Sequence, residues 1–234
     1  MRQKQTGFTL IEIAIVLVII GLLLGAILKG QELINSARVR NIITQQDGIK
    51  AAYFAFQDRY RALPGDYSGV NASANIRGIA NNTVGGNANG VIEDVAGFTE
   101  TVVAWTHLSQ AGFITGNYNA TTPNPAANAT FAPTNPYSAI IQMQWDNTYQ
   151  GAAAAPGGNR VNLKTGNQIP ADVLAEIDRK IDDGRPDLGN FRFSAFNGGV
   201  AAPTPASCFT VVPGGGSNWN ATTGETNCGA ATLF

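Results

Sequence analysis

The sequence predicts an α+β fold in which one long N-terminal helix is combined with a small antiparallel sheet and short helices. Three observations predict it. An apolar run from Phe8 to Leu28 leads directly into an amphipathic helical pattern that ends near Arg61. Beyond that pattern, short stretches of strand-like composition are interspersed with short helical ones. The chain is also rich in turn formers, with 27 Gly and 11 Pro in 234 residues, so we expect many loops.

The run from Phe8 to Leu28 is long enough to cross a membrane. As a helix it spans roughly 31 Å, which matches the hydrocarbon core of a bilayer. Its one charged residue, Glu12, needs a partner or a place near the interface, because a carboxylate at the centre of such a helix costs about 2.5–3.5 kcal/mol on insertion scales. Arg2 and Lys4 precede the run, so the positive-inside rule places residues 1–7 on the cytoplasmic side.

An amphipathic pattern continues the helix over residues 29–62. Its apolar side chains recur at spacings of three, four or seven, which predicts one stripe that packs against the rest of the chain. The sequence Leu63-Pro64-Gly65-Asp66 ends the helix, because proline disfavours the helical conformation in the residue before it. The residues of the stripe are Val39, Ile42, Ile49, Tyr53, Phe56 and Tyr60.

Residues 4–12 read KQTGFTLIE, and this stretch resembles the cleavage site of type IV prepilins and type II secretion pseudopilins. The resemblance implies a pilin-like fold and a leader over residues 1–7. It implies that a prepilin peptidase cuts between Gly7 and Phe8 and methylates the new amine of Phe8. It also implies that Glu12 neutralises the terminal amine of a neighbouring subunit. Many pilins have a proline where this chain has Lys29, so the resemblance does not say whether the helix melts in a filament.

Physical reasoning supports the same role for Glu12. An amine and a carboxylate are each costly in lipid, and pairing them in a low dielectric offsets much of that cost. The pair would set the axial register of one subunit on the next. Two other interpretations stay open: Glu12 snorkels to the interface or is protonated, and the whole run is an uncleaved signal anchor.

The stretch from Tyr67 to Gly97 contains few large apolar residues, and we interpret it as a long surface loop. Four residues in it, Asn87, Asn89, Glu93 and Asp94, faintly resemble a calcium loop with oxygen ligands on alternate residues. The first two ligand positions lack acids and the distal glutamate is missing. A plain Asn-Gly turn therefore explains the pattern better. We expect no cofactor, with a structural calcium ion as the alternative.

The head, residues 63–234, is predicted to contain two helices and a small sheet. Thr99 and Glu100 are suited to the start of the first helix, as N-cap and first-turn acid. Leu174, Ile177 and Ile181 form the predicted buried row of the second. The predicted helices run from Thr99 to Gly112 and from Ile169 to Gly184, and the predicted strands are Tyr137–Trp145, Val161–Lys164 and Phe191–Phe196.

Asp178, Asp182 and Asp183 lie near the end of the second of these helices. They resemble an acid pair or a metal cluster, but a solvated helix end with turn bonds before Gly184 is the better interpretation. The surrounding segment, residues 177–186, resembles one that recurs in Gram-negative pilin-like proteins that also carry L-P-G-D.

Cys208 and Cys228 are the two cysteines of the chain. Behind a membrane-targeting segment they most simply form a disulfide in an oxidising compartment. The bridge would close a loop of about 20 residues and contribute roughly 3 kcal/mol in the chain-entropy estimate. The family resemblance agrees, because many pilins close a C-terminal loop with a disulfide.

Several function classes are excluded or disfavoured. The net charge of −1 gives no support for nucleic-acid binding, although DNA or a surface ligand stays conceivable for the head. His107 is the only histidine, and no serine or cysteine nucleophile motif accompanies it. We therefore expect His107 to have a helix-surface or packing role, and we expect the protein not to be an enzyme.

The resemblance implies a structural subunit of a type IV pilus or pseudopilus, whose partners are prepilin peptidase and other pilin or pseudopilin subunits. The precursor would sit in the inner membrane with its head in the periplasm, and the assembled form would be a periplasmic pseudopilus or an extracellular pilus. One alternative is a minor pilin at the tip or in the initiation complex, whose head binds a surface, DNA or other pilins. Another is an enzyme or receptor domain on a signal anchor.

Overall fold

The computed structural model describes residues 9–150, 158–212 and 216–234 and divides the chain into two units. The first unit ends at Arg38, and the second runs from Val39 to Phe234. Helix α1, Leu10–Tyr60, includes residues of both units. The predicted helix start, Phe8, lies outside the described residues. The α+β arrangement with one long N-terminal helix is confirmed.

The second unit adds short helices and strands to α1. The helices are α2 (Gly69–Asn75), α3 (Glu100–Gln110), α4 (Ala171–Ile181) and α5 (Pro205–Cys208). The strands are β1 (Asp94–Val95), β2 (Phe98–Thr99), β3 (Gln142–Asp146), β4 (Arg160–Lys164), β5 (Phe191–Phe193), β6 (Phe209–Val212), β7 (Gly216–Trp219) and β8 (Ala230–Leu233).

The main sheet is antiparallel with the strand order β3-β4-β8-β5, and two-stranded sheets form from β1 with β2 and from β6 with β7. The predicted pairing of β3 with β4 is present, with Met143 opposite Leu163. Strand β8 was not predicted, yet it lies inside the sheet, where Thr232 is opposite both Leu163 and Phe191.

The second half of α1 packs against the sheet through its predicted stripe. Ile49, Tyr53 and Phe56 are buried in one cluster with Met143 and Leu163. The same cluster includes the fully buried Trp105 and Leu108 of α3 and Ile141 beside β3. A second cluster joins Val39 and Ile42 to α4, β5 and the C-terminal disulfide. Each turn of α1 in this unit thus contributes apolar area to the core.

The predicted loop from Tyr67 to Gly97 is more ordered than expected, since it contains α2 and β1. Isolated apolar residues within it are buried, because the chain folds back on itself at glycines. A side chain at Gly85 would place its Cβ 2.5 Å from the Cα of Gly69. The buried residues of this segment are Ile76, Ile79, Val84 and Ile92.

Other element ends differ from the prediction. Strand β3 begins at Gln142 because the carboxamide of Asn135 accepts the N–H groups of Tyr137 and Ala139 and folds the preceding residues into a turn. Helix α4 ends at Ile181, which is 40% exposed and so not part of a buried row.

Strand β5 stops at Phe193, three residues before the predicted end. Its partner β8 begins at Ala230, which is the residue opposite Phe193, so no ladder partner continues beyond it. The length of β5 is thus set by a strand that is distant in the sequence.

Candidate functional site

The first unit is a helix with an apolar surface and no core of its own. None of its described residues, 9–38, is buried, and Leu10 is 91% exposed. The part of the chain that the structure describes holds one helix long and apolar enough to cross a membrane, with a mean hydropathy of 3.0 in its most apolar window. Such a surface is stable only when lipid or other apolar helices cover it.

Glu12 closes the first turn of this helix through a reciprocal pair of contacts with Thr9. Glu12 Oε2 accepts hydrogen bonds from the backbone N–H of Thr9 at 2.7 Å and from its hydroxyl at 2.8 Å. The backbone N–H of Glu12 donates to Thr9 Oγ1 at 3.3 Å. This is a capping box, which satisfies donors that every helix N-terminus leaves unpaired. The T-x-x-E spacing before an apolar run could have predicted it from the sequence.

The capping box leaves one carboxylate oxygen of Glu12 for another donor. Both bonds from Thr9 end on Oε2, and among the described residues none donates to Oε1. A carboxylate has lone pairs on both oxygens and can serve a cap and an ammonium group together. The predicted cleavage pair, Gly7 and Phe8, lies outside the described residues.

The charges further along the first unit pair within the helix. Lys29 Nζ lies 2.6 Å from Glu32 Oε2, and both side chains are about two-thirds exposed. A side chain at Gly21, Gly25 or Gly30 would contact nothing within 4 Å outside the backbone of its own helix turn. Packing among the described residues therefore does not require glycine at these three positions.

His107 is a core residue, so of the two predicted roles, helix surface or packing, it has the second. It is fully buried, its ring stacks on Phe56 at 5.9 Å, and its Nδ1 accepts the N–H of Gly65 at 3.0 Å. Burial lowers the pKa of His107 to about 4. The ring is thus neutral at pH 7 and holds the Pro64-Gly65 turn against α3.

The four weak calcium candidates bond within their own loop. Asn87 Oδ1 and Asn89 Oδ1 accept backbone N–H groups two residues further on, at 2.9 and 3.0 Å. Asn89 also donates to Glu93 Oε1 at 2.8 Å. The carboxylate of Asp94 accepts the N–H and hydroxyl of Thr101 and thereby caps α3. Each of the four side chains thus already accepts at least one protein hydrogen bond.

Thr99 and Glu100 lie at the predicted start of α3, as its N-cap residue and first-turn acid. The side chain of Thr99 makes no capping hydrogen bond. Glu100 is fully buried. Its two carboxylate oxygens accept the N–H groups of Asn87 at 2.8 Å and Glu93 at 3.1 Å. Burial raises the pKa of Glu100. The residue anchors the loop before α3, and no local sequence pattern distinguishes such an acid from a solvated one.

The three aspartates after α4 come together, but the solvated helix end that was predicted is wrong for one of them. Candidate ligand oxygens of Asp178, Asp182 and Asp183 lie within 4.8 Å of one another. Asp178 is fully buried and accepts Trp219 Nε1–H at 2.7 Å and the N–H of Gly184 at 3.1 Å. Burial raises its pKa to about 6.

The other two aspartates stabilise the chain after the helix. Asp183 Oδ1 accepts the N–H of Arg185 at 2.9 Å, which is the predicted turn bond. Asp182 accepts the N–H groups of Asn190 and, at 2.7 Å, of Phe191. The cluster thus connects α4 to the start of β5.

A buried ion pair on the main sheet was missed by the sequence reasoning. Lys164 on β4 is 2% exposed, and its Nζ lies 2.5 Å from Asp146 Oδ2 on β3. Nζ also donates to Gln144 Oε1 at 3.0 Å. Burial lowers the pKa of Lys164; burial opposes ionisation of Asp146 too, but the ammonium outweighs it and lowers the pKa of Asp146.

The predicted disulfide is present. Cys208 and Cys228 are bonded, with their Cα atoms 5.6 Å apart and both residues fully buried. The β6–β7 hairpin lies within the loop that they close. The N–H and carbonyl groups of Cys228 pair with Ile169 just before α4, so the bridge joins the hairpin to the second core cluster.

Comparison with known proteins identifies the N-terminal segment. Residues 2–28 match the family model described as the prokaryotic N-terminal methylation motif. The match spans the capping box and the exposed apolar helix. No match was found among curated proteins or among solved structures. The match supports a prepilin-type segment at the N-terminus, similar to those of type IV pilins and pseudopilins.

Proposed function

We propose that the chain is a structural subunit of a type IV pilus or a pseudopilus. The observation that carries this proposal is the coincidence of the methylation motif with an exposed apolar helix whose one early charge is Glu12. Before assembly the helix lies in the inner membrane and the head in the periplasm. After assembly it lies among equivalent helices of other subunits, in a periplasmic pseudopilus or an extracellular pilus.

Processing creates the second partner for Glu12. Cleavage between Gly7 and Phe8 gives Phe8 a free amine, which prepilin peptidase then methylates. The ammonium group of a neighbouring subunit binds Glu12 Oε1, while Oε2 stays bonded to Thr9. A repeated contact between different surfaces of like subunits does not close on itself and therefore produces a filament.

The proposal assigns no catalysis to the head. His107 supports this, because the ring is fully buried and one of its nitrogens accepts a backbone N–H. A signal-anchored enzyme would keep its N-terminus at Met1 and form no filament.

A set of variants at Glu12 tests the proposal. Mass spectrometry of the purified mature chain should give methylated Phe8 as its first residue. Glu12→Gln keeps an acceptor for the capping box but removes the charge, so we expect normal processing and at least a tenfold loss of filaments in sheared fractions. Glu32→Gln is the matched control, because Glu32 is an exposed carboxylate of the same helix that already pairs with Lys29; it should assemble normally.

Two outcomes would contradict the proposal. One is a mature chain that begins at Met1. The other is normal assembly of Glu12→Gln. Defective assembly of Thr9→Val beside it would then reduce Glu12 to a helix cap. The same sheared fractions separate a major from a minor subunit, since a major subunit dominates them and a tip or initiation subunit is rare in them.

A further inference from the structure

We propose that an open cleft at the C-terminal end of α1 binds a carbohydrate. The cleft has a volume of about 680 Å³ and lies between the end of α1, the start of α2 and residues 88–90. Its size is within the range of clefts that hold small ligands, roughly 300–1,000 Å³. The inference is independent of the proposed filament function, because all the residues involved belong to the second unit, outside the exposed apolar part of α1.

The walls of the cleft are held in place by buried hydrogen bonds. Asp66, at its base, is 5% exposed, and its two carboxylate oxygens accept the N–H groups of Asn89 at 2.8 Å and Gly90 at 3.0 Å. The carbonyl of Asp66 accepts the N–H of Ala88 at 3.0 Å. Three bonds from one buried residue thus fix one rim, and a preformed site loses less entropy when it binds.

Backbone strain is concentrated at this cleft. Four non-glycine residues in the described part of the chain have a positive φ, and two of them, Arg61 at 53° and Ala88 at 59°, line it. Arg61 follows the last turn of α1, where its N–H bonds to the carbonyl of Gln57. Ala88 is held by Asp66. Strained residues persist only where their surroundings hold them, and they cluster at ligand sites.

The side chains in the cleft suit a neutral, polyhydroxylated ligand. The rings of Tyr60 and Tyr67 lie 5.9 Å apart at 40°, line the cleft and are half-buried, so part of each ring is accessible there. Phe56 and the guanidinium of Arg59 also pack on the ring of Tyr60. An aromatic face carries partial negative charge and attracts the C–H groups on the flat face of a sugar ring. The exposed carboxamides of Gln57 and Asn71 make no hydrogen bond with any described residue, and each offers donors and an acceptor to hydroxyl groups.

Charge and shape argue against other ligand classes. Arg61 is the one cation of the lining, and its guanidinium lies 3.6 Å from Asp58, while the carboxylate of Asp66 is used by the rim. The cleft therefore has no excess positive charge for a phosphate or for DNA. A proline-rich peptide needs a row of aromatic slots, whereas Tyr60 and Tyr67 are the two aromatic residues of this lining.

Isothermal titration of the full chain, in a detergent without a sugar headgroup, tests the inference. The probes are triacetylchitotriose and cellotriose. We expect one of them to bind, and we expect Asn71→Ala and Gln57→Ala each to weaken that binding by about tenfold, the value of one lost hydrogen bond. Asn218→Ala is the matched control: it removes the same exposed carboxamide from β7, outside the cleft, and should leave binding unchanged.

The side chains of Asn71 and Gln57 are exposed and make no hydrogen bond with a described residue, so we expect both variants to fold. A thermal melt checks this. Failure of both trisaccharides to bind would overturn the inference. So would equal affinity of Asn71→Ala and the wild type, or binding of a proline-rich decapeptide in place of both sugars. Because none of these readouts involves filaments, failure here would leave the proposed filament function untouched.

Discussion

Two buried titratable side chains affect stability with opposite signs over nearly the same pH range. The pKa of Asp178 rises from its ordinary value of 3.8 to about 6, so the folded state binds a proton more tightly than the unfolded state does. The pKa of His107 falls from 6.5 to about 4, so the folded state binds its proton less tightly. Stability therefore decreases with rising pH through Asp178 and increases through His107.

We expect these two effects to cancel in the wild type between about pH 4 and 6 and to separate in variants. In Asp178→Asn the effect of His107 remains, so relative to wild type the free energy of unfolding should rise with pH by up to about 1.4 kcal/mol per unit. In His107→Gln the free energy of unfolding, relative to the wild type, should fall as the pH rises. Urea titrations of the three proteins from pH 4 to 7 measure this; parallel curves would show that neither shift exists.

At the level of single residues, the sequence predicted the groups whose chemistry depends on local spacing. Glu12 and the two cysteines stand out because each is rare in its surroundings. Glu100 and Lys164 do not, since a charged residue becomes buried through contacts with segments far along the chain. Asp178 shows the same limit. Its neighbours Asp182 and Asp183 suggested a solvated helix end, whereas Trp219 of β7 bonds to its carboxylate in the core.

At the level of elements, β3 and β4 are joined by an ion pair, and removing one of its two partners is costly. Asp146→Ala leaves the Lys164 ammonium buried, so we expect a loss of about 3–5 kcal/mol. Lys164→Met leaves a carboxylate that is 14% exposed and still bonded to Asn162 and Thr148, so we expect a loss of about 1–2 kcal/mol.

The double variant Asp146→Leu/Lys164→Met is the control for this pair. It replaces both charges with apolar side chains, and we expect it to be as stable as the wild type or more stable. Urea denaturation measures the free energy of unfolding of all three variants. Equal losses from the two single variants would contradict the asymmetry.

Element prediction succeeded where one pattern was long and failed where pairing decided the structure. Helix α1 has many periodic residues, so its end was placed within one residue of Tyr60. Strand β8 is short and follows a Gly-rich stretch, and only its two neighbours in the sheet make it a strand. Helix α2 has seven residues, two of them buried, which is too few for a periodic signal.

For the whole molecule, the disulfide should contribute more than a typical single hydrogen bond of the head. It joins residues that are 20 positions apart in the sequence. For a loop of that length the chain-entropy estimate gives about 3 kcal/mol of stabilisation. The double variant Cys208→Ala/Cys228→Ala should lose roughly that amount in urea denaturation of the detergent-solubilised chain. Dithiothreitol should have little effect on the native wild type, because both cysteines are fully buried; rapid reduction without unfolding would contradict this.

The position of β8 determines when the head can fold. It is the last strand in chain order, yet it lies between β4 and β5, which do not pair with each other. Strands β3 and β4 can pair with each other directly, but β5 has no neighbour in the sheet until β8 is in place. The pairing that completes the sheet therefore depends on contacts between segments far apart in the chain, and we expect its formation to be the slow step in folding of the second unit.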